Sequence, residues 1–189
     1  MPCFQETTIW MYRKLRNDEL HRLSVPEYKI AEKLPVTVVL DNVRSQHNIG
    51  AAFRSADSFL VEKLLLCGIC AVPPTAEIHK SALGAEFSVE WEYFKKTTDA
   101  VAALKERGYR IICVEQTENS TKLHELSVEK GVRYALVFGN EVRGVAQEVV
   151  NMSDEVVEIP QFGTKHSLNV SVSVGIVLWE YAKKCHLRE

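Results

Sequence analysis

The strongest constraint on this chain is a series of short apolar runs that do not alternate. Val36-Thr37-Val38-Val39-Leu40, Leu64-Leu65-Leu66-Cys67, Tyr109-Arg110-Ile111-Ile112-Cys113-Val114, Tyr134-Ala135-Leu136-Val137-Phe138 and Val156-Val157-Glu158-Ile159 each have the length of one strand. A strand with one wet face alternates apolar and polar residues. Continuous hydrophobicity means that both faces are covered, as in a parallel sheet with helices on either side. Segments of helical pattern fall between the runs, around 50–59, 100–107 and 146–151. The expected fold class is α/β, a mainly parallel sheet flanked by helices.

The two ends read differently from the middle. Residues 1–34 are expected to form a helical N-terminal extension without a core strand, and residues 35–189 a single domain. Ser24-Val25-Pro26-Glu27 has the spacing of a capping box, with proline in the first turn where its missing N–H costs nothing. Lys14, Arg16, Arg22 and Lys29 are interspersed with acids, which fits either a solvated amphipathic face or a substrate-binding arm. At the other end, Val170, Val172 and Val174 alternate with Ser171 and Ser173 like a strand. The apolar stretch then runs on through Ile176, Val177, Leu178, Trp179 and Tyr181, which is too long for one. A helix apolar on nearly all sides fits better, and it must be buried from more than one direction.

Size and composition exclude some classes. With 189 residues the chain is long enough for one α/β domain and too short for two comfortable ones. A formal net charge of -2 argues against a protein that coats nucleic acid indiscriminately, although it says nothing about a local basic face. No apolar run is long enough to cross a bilayer, and the first ten residues lack the basic-then-apolar layout of a signal peptide. The expected compartment is the cytoplasm. Five scattered cysteines, Cys3, Cys67, Cys70, Cys113 and Cys185, fit reduced thiols better than a disulfide framework.

Several familiar chemistries are missing. No G-x-G-x-x-G follows the first strand, which removes dinucleotide folds and the common Rossmann-type methyltransferases. Gly139 to Gly144 has the glycine spacing of a P-loop. Val145-Ala146 stand where the lysine and the magnesium-binding hydroxyl belong, so an NTPase is excluded. Cys67-Gly68-Ile69-Cys70 matches C-x-x-C, but Ala71-Val72-Pro73-Pro74 cannot supply the helix that activates such a thiol. The six histidines show no metal-ligand spacing, and no metal is expected.

Three polar segments interrupt strand-to-helix junctions. In the first, Asp41 to Arg54, Asn48 can cap a helix, and Gly50-Ala51-Ala52 allow close approach to its first turn. The second, Leu136 to Gly144, ends a strand in two glycines around a carboxylate. The third, Ile159 to Val172, feeds the apolar C-terminal helix, with Ser167 as a candidate N-cap. Each alone also reads as an ordinary cap or turn. Together they contain Asn-x-Gly-x-x-x-Arg, then Phe-Gly-Asn-Glu-x-x-Gly, then Ile-Pro-x-x-Gly-x-x-x-Ser-Leu-Asn-Val-Ser-Val. In order and spacing these resemble the three motifs of the TrmH (SpoU) family of SPOUT-class RNA ribose 2′-O-methyltransferases. The resemblance covers about 36–181, and Cys67-Gly68-Ile69 also looks like a strand end of that family.

The resemblance implies a fold, a cofactor, a reaction and partners. The fold would be a parallel-sheet α/β domain ending in a deep trefoil knot, a feature too rare to propose from periodicity. S-adenosyl-L-methionine would bind in the knot, on loops that map to Glu115 and Gln116, to Gly139, and to Ile159, Gln161 and Leu168. The apolar Ile159 and Leu168 would sandwich the adenine. The motif arginine, Arg54, would hold the reacting ribose hydroxyl and its neighbouring phosphate. A guanidinium with a pKa above about 12 is a poor base, so the phosphate would assist deprotonation. Asn48 would orient Arg54 or the ribose, and Glu141, Ser167 and Asn169 would fix the loops around the arginine. Lys165 and His166 would touch RNA phosphates. A homodimer through the C-terminal helix would complete the site and explain that helix's two apolar sides. The N-terminal extension does not resemble the RNA-binding domain of many rRNA-directed members, which favours tRNA over rRNA. The reading from another class is a non-catalytic, knotted RNA-binding or assembly protein.

Overall fold

In the computed structural model the described residues are 12–186, so Cys3 and the first ten residues discussed above lie outside them. A short 3-10 turn (Asn17–Leu20) and α1 (Val25–Ile30) precede the sheet. The order is then β1 (Leu34–Asp41), α2 (Gln46–Ser58), β2 (Val61–Cys67), α3 (Ala76–Ala82), α4 (Ala85–Ser88), β3 (Trp91–Phe94), α5 (Thr97–Glu106), β4 (Arg110–Val114), β5 (Thr121–Lys122), β6 (Tyr134–Phe138), α6 (Gln147–Val150), β7 (Glu155–Glu158) and α7 (Val170–His186). The capping box of α1 forms as its spacing predicts, with Ser24 and Glu27 each bonding the other's backbone N–H.

The seven strands form one sheet in the order β3-β2-β1-β6-β4-β7-β5, and every pairing is parallel. The non-alternating runs follow from covering both faces. Val36, Val38 and Leu40 of β1, with Tyr134, Leu136 and Phe138 of β6, join one core that includes residues of α1, α2, α3 and α7. Val39, Ala135 and Val137 point the other way, into a second core with Ala100, Val101 and Leu104 of α5 and Val149 of α6. The molecule is thus a three-layer α/β structure, as the apolar runs predict.

Strand order fixes where a site can sit. From β1 the chain turns through α2 to β2 on one side, whereas from β6 it turns through α6 to β7 on the other. β1 and β6 are neighbours, with Leu40 paired to Phe138. Loops that leave adjacent strands in opposite directions open a crevice at the carboxyl edge, where ligands of such sheets bind.

The close approach expected at Gly50 is real, but a helix makes it. A Cβ there would lie 2.0 Å from Ser81 Oγ and 2.5 Å from the Ile78 carbonyl, both in α3. The glycine seats α3 on α2 and leaves nothing for a ligand. In an exposed helix, alanine in place of glycine stabilises by about 0.5–1 kcal/mol. Here Gly50→Ala is expected to reverse that sign and lose about 1–3 kcal/mol through overpacking, measured by denaturant unfolding. Adding Ser81→Ala should recover only part, because the Ile78 carbonyl remains.

Candidate active site

The three motif segments leave the carboxyl ends of β1, β6 and β7, and carboxylates bind them together. Glu141, in the loop after β6, accepts from the backbone N–H groups of Arg44 (3.1 Å) and Ser45 (3.0 Å) and from the Asn48 side-chain amide (3.1 Å). The Asn48 carbonyl oxygen in turn accepts from the Asn169 side chain at 3.2 Å. One polar chain, Asn169–Asn48–Glu141, therefore joins the third, first and second segments across 121 residues of sequence. Burial alone would raise the Glu141 carboxyl. The N–H groups of Arg44, Glu141 itself and Ser45, with the Asn48 amide, outweigh it and hold the group below the ordinary carboxylate range.

The loop 139–144 is closed on itself. Asn140 and Gly144 exchange backbone hydrogen bonds of 2.9 Å each, and Asn140 Oδ1 accepts from the N–H groups of Val142 and Arg143. A Cβ on Gly139 would lie 2.0 Å from the Gly144 backbone, so bare backbone is required there. Two further acids pin the loop. Asp41, buried at the end of β1, accepts from Ala146 N–H (2.8 Å), from the Asn42 amide (2.8 Å) and from the Thr97 hydroxyl. Glu115, after β4, accepts from Val145 N–H and Gln116 N–H, each at 2.8 Å.

These loops enclose a cavity of about 510 Å³. Its walls come from the ends of β4, β6 and β7 and the start of α7. Apolar Val114, Phe138, Ile159 and Leu168 line it together with polar Gln116, Glu141, Gln161, Ser167 and Asn169. The Gln116 amide donates to the His166 carbonyl at 2.8 Å, which closes one side. Glu158, also in the wall, is ion-paired with Lys122.

Of the residues expected to hold a cofactor, Glu115, Gln116, Gly139, Ile159, Gln161 and Leu168 all line this cavity. So do Glu141, Ser167 and Asn169. Glu115 lines it with a carboxylate already used on two backbone N–H groups, so its visible work is to hold the wall. Asn48 lies behind the wall, bonded to Glu141 and Asn169. Arg54 is not among the lining residues. It is exposed on α2, and its side chain makes no hydrogen bond or ion pair among the described residues.

Two expected caps are corrected. Ser45, not Asn48, caps α2, its hydroxyl accepting from Asn48 N–H at 3.3 Å. Asn169, not Ser167, precedes α7 and accepts from Ser171 N–H at 2.9 Å. The motif reading gave no role to Asp41, Asn140, Arg143, Val170 or Ser173, of which all but Asp41 line the cavity. A charged residue ending a β-branched run was the available signal for Asp41. Cys67 and Cys70 are buried, and burial, against hydrogen bonds that oppose it and with the Asp41 charge adding to it, pushes their thiols up to about 12 and about 11. They stay protonated near neutral pH, which removes the redox reading. Among the described residues no group of three or more His, Cys, Asp or Glu could hold a metal.

Comparison with known proteins finds similar sequences and folds within one family. The model of the SpoU rRNA Methylase family matches residues 35–179. A tRNA (guanosine(18)-2′-O)-methyltransferase of Aquifex aeolicus is 34% identical over 146 residues, covering 76% of this chain and 66% of that protein. The chain thus spans just under two thirds of that relative's length. The same-named enzyme of Thermus thermophilus is 30% identical over 165 residues, covering 86% of this chain and 81% of that protein. The crystal structure of an A. aeolicus TrmH/SpoU tRNA modifying enzyme superposes with a TM-score of 0.74 at 30% identity, covering 85% of this chain and 80% of that one. An AdoMet-bound rRNA methyltransferase from Sinorhizobium meliloti does so with 0.74 at 25% identity, covering 84% and 62%.

The Glu141 clasp has a definite acid signature. A carboxyl held below its ordinary value of 4.5 contributes stability that is full above that value and is lost as pH falls through the lower folded-state value. Glu141→Gln is therefore expected to lower stability at pH 7 by about 0.5–1.5 kcal/mol, a modest figure because the side chain is partly solvated. The gap between wild type and variant, followed by urea unfolding, should shrink below about pH 4.

Proposed function

The chain belongs to the SpoU methylase family, and we propose that it transfers the methyl group of S-adenosyl-L-methionine to a ribose 2′-hydroxyl of structured RNA, tRNA in preference to rRNA. The observation that carries this reading is a cavity at the carboxyl edge, walled by the second and third motif segments and the loop after β4 and braced from behind by Asn48 of the first. Its volume falls within the range of about 300–1,000 Å³ typical of small-molecule sites. The mixed wall suits the cofactor's chemistry: Ile159, Leu168, Val114 and Phe138 for a flat purine, loop backbone and polar side chains for ribose and amino-acid tail. Bare backbone at Gly139 lets the 139–144 loop close on itself and form one wall of the cavity. The names of the Aquifex and Thermus relatives support tRNA.

When bound, the cofactor supplies an electrophilic methyl group on a sulfonium sulfur. The chain's own residues must hold a weak nucleophile in line with it and take up a proton. Arg54 is assigned to the ribose hydroxyl and the adjacent phosphate, with the phosphate assisting proton removal. Asn48, Glu141 and Asn169 act as positioning residues, because their mutual bonds fix the relation of α2 to the cavity wall. Ser167 belongs to the wall at the same place, and Lys165 and His166, both exposed, are assigned to RNA phosphates.

The same reading includes a homodimer, a knot and a cytoplasmic location for a catalytic domain of residues 35–189. Val172, Ile176 and Trp179 form an exposed apolar stripe on α7, opposite the buried Val174, Val177, Leu178 and Tyr181, and a second copy would cover it. α7 packs on α2, with Ser55 beside Gly175 and Phe59 beside Trp179, so Arg54, next to Ser55 on α2, belongs to the part of that helix that packs on α7. The arginine would then serve the partner's cavity. Support for a knot comes from β7, which lies between β4 and β5, so the segment leaving it starts within the loop that joins β4, β5 and β6. Lys184 of α7 donates to the carbonyls of Leu123, His124 and Leu126 in that same loop. Among the described residues no helix is long and apolar enough to cross a membrane.

Tritium transfer from labelled cofactor to total tRNA and to rRNA, followed by nucleoside analysis, tests the reaction. A 2′-O-methyl nucleoside from tRNA is expected, and no cofactor binding at all would leave the non-catalytic RNA-binding reading. Arg54→Ala should abolish transfer while cofactor affinity and thermal midpoint stay near wild type. Mixing inactive Arg54→Ala with inactive Asn169→Ala subunits should restore about one quarter of wild-type turnover if sites are shared across a twofold pair. No recovery would place Arg54 and the cavity within one chain.

A further inference from the structure

The carboxyl edge of the sheet continues past the cavity, across β1 and β2 to the edge strand β3, and carries side chains that the reaction does not use. Asp41 is in register with Cys67, and Cys67 with Phe94. The segments that leave these strands are tied to one another. The Asn140 amide donates to the Asn42 carbonyl (2.7 Å), and Ile69 N–H donates to Asn42 Oδ1 (3.2 Å). Gly68 N–H donates to the Phe94 carbonyl (3.0 Å), and the Tyr93 hydroxyl donates to the Gly68 carbonyl (2.9 Å). The result is a continuous ridge from the cavity loop to β3, about 14 Å at the usual strand spacing.

Its chemistry is uneven in a specific way. Ile69, Val72 and Tyr93 are 62%, 37% and 46% exposed. Arg44, Lys95 and Lys96 are exposed beside them, and none of the three forms an ion pair among the described residues. The acids nearby are engaged or set apart. Asp41 and Glu141 are saturated by donors, Glu92 pairs with Lys63 at 3.6 Å, and Asp99 sits in the first turn of α5. Apolar and aromatic surface edged by unpaired cations of one sign is the combination that binds single-stranded nucleic acid, by stacking plus phosphate contact. A second copy of this chain would bring the same cations against themselves.

We propose that this ridge, Arg44, Ile69, Val72, Tyr93, Lys95 and Lys96, holds the unpaired nucleotides that flank the one whose ribose enters the cavity. Tyr93 stacks a base, and Arg44, Lys95 and Lys96 take phosphates. The inference rests on the RNA-methylation reading and adds a substrate requirement to it: the target nucleotide lies in an unpaired stretch.

A short labelled oligouridylate, followed by fluorescence anisotropy, tests the ridge. The doubly substituted Lys95→Glu, Lys96→Glu chain should bind at least about tenfold more weakly and show a salt dependence flatter by about 1.4 in log-log slope. Tyr93→Ala should weaken binding about 5- to 150-fold with the slope unchanged, and Tyr93→Phe should restore it. Cofactor affinity and thermal midpoint should match wild type throughout. Equal binding by all variants overturns the proposal, as does a Tyr93→Ala loss that Tyr93→Phe does not rescue. The two readings fail separately. Variants that bind like wild type while tritium transfer proceeds sink the ridge alone. Variant-sensitive binding without any methyl transfer keeps the ridge and sinks the reaction.

Discussion

A carboxylate buried at the end of a central strand holds this site together. Asp41 is 1% exposed, a place where an isolated charge would be strongly unfavourable. Three donors make it tolerable: the Thr97 hydroxyl, the Asn42 amide and Ala146 N–H. They sit in the first turn of α5, at the exit of β1 and at the N-cap of α6. One side chain thus fixes a helix of the second layer, the first motif segment and the far end of the 139–144 loop. Glu115 does the matching work from β4 on Val145, and Glu141 reaches back to Arg44 and Ser45. The glycine loop is held from both flanks before any ligand arrives, which is the preorganisation a transfer site needs.

This division of labour explains why net charge misleads here. Asp41, Glu115, Glu141 and Glu158 at the carboxyl edge spend their charge on backbone N–H groups, side-chain amides and Lys122. The cations there, Arg44, Arg54, Arg143 and Lys165, are exposed. A chain of net charge -2 can therefore present a locally positive edge to a polyanion, because the sum over all residues is silent about which charges are already satisfied.

What was legible in the sequence follows the same physics. β1, β2, β4, β6 and β7 were readable because burial on both faces forces continuous apolar runs. β3 (Trp91–Phe94) escaped because it is an edge strand with two exposed residues, and β5 because two residues carry no period. α3 escaped because Pro73-Pro74 argue against a helix directly after Cys70, whereas Thr75 behind them caps a seven-residue helix. Within the site, motif spacing named the wall residues but not their partners. Asn48 looked like a cap because asparagine caps helices. Its actual bonds, to Glu141 and Asn169, span contacts 93 and 121 residues apart that no local pattern encodes. Gly50 signals a close approach to the first turn of α2, yet only the fold reveals that α3 is what approaches.

The position of Arg54 has its own geometric logic. Asn48 faces the cavity wall, and six residues along an α-helix is an advance of about 9 Å with a rotation of about 240°. The two side chains cannot serve one point from the same helix face. Repacking α2 to bring Arg54 round would expose Ile49, Ala52, Phe53 and Ala56, which are essentially fully buried, and would break the Gly50 seat on α3. The helix is therefore committed by its core face, and an arginine outside the cavity of its own chain is the consequence. α7 is committed in the same way, since burying Val174, Val177, Leu178 and Tyr181 leaves Val172, Ile176 and Trp179 in solvent. The proposed pairing of two chains answers both at once, covering the apolar stripe while carrying each arginine towards the other cavity. On that reading the interface and the chemistry share one cause, the packing of α2 and α7 against the same face of the sheet.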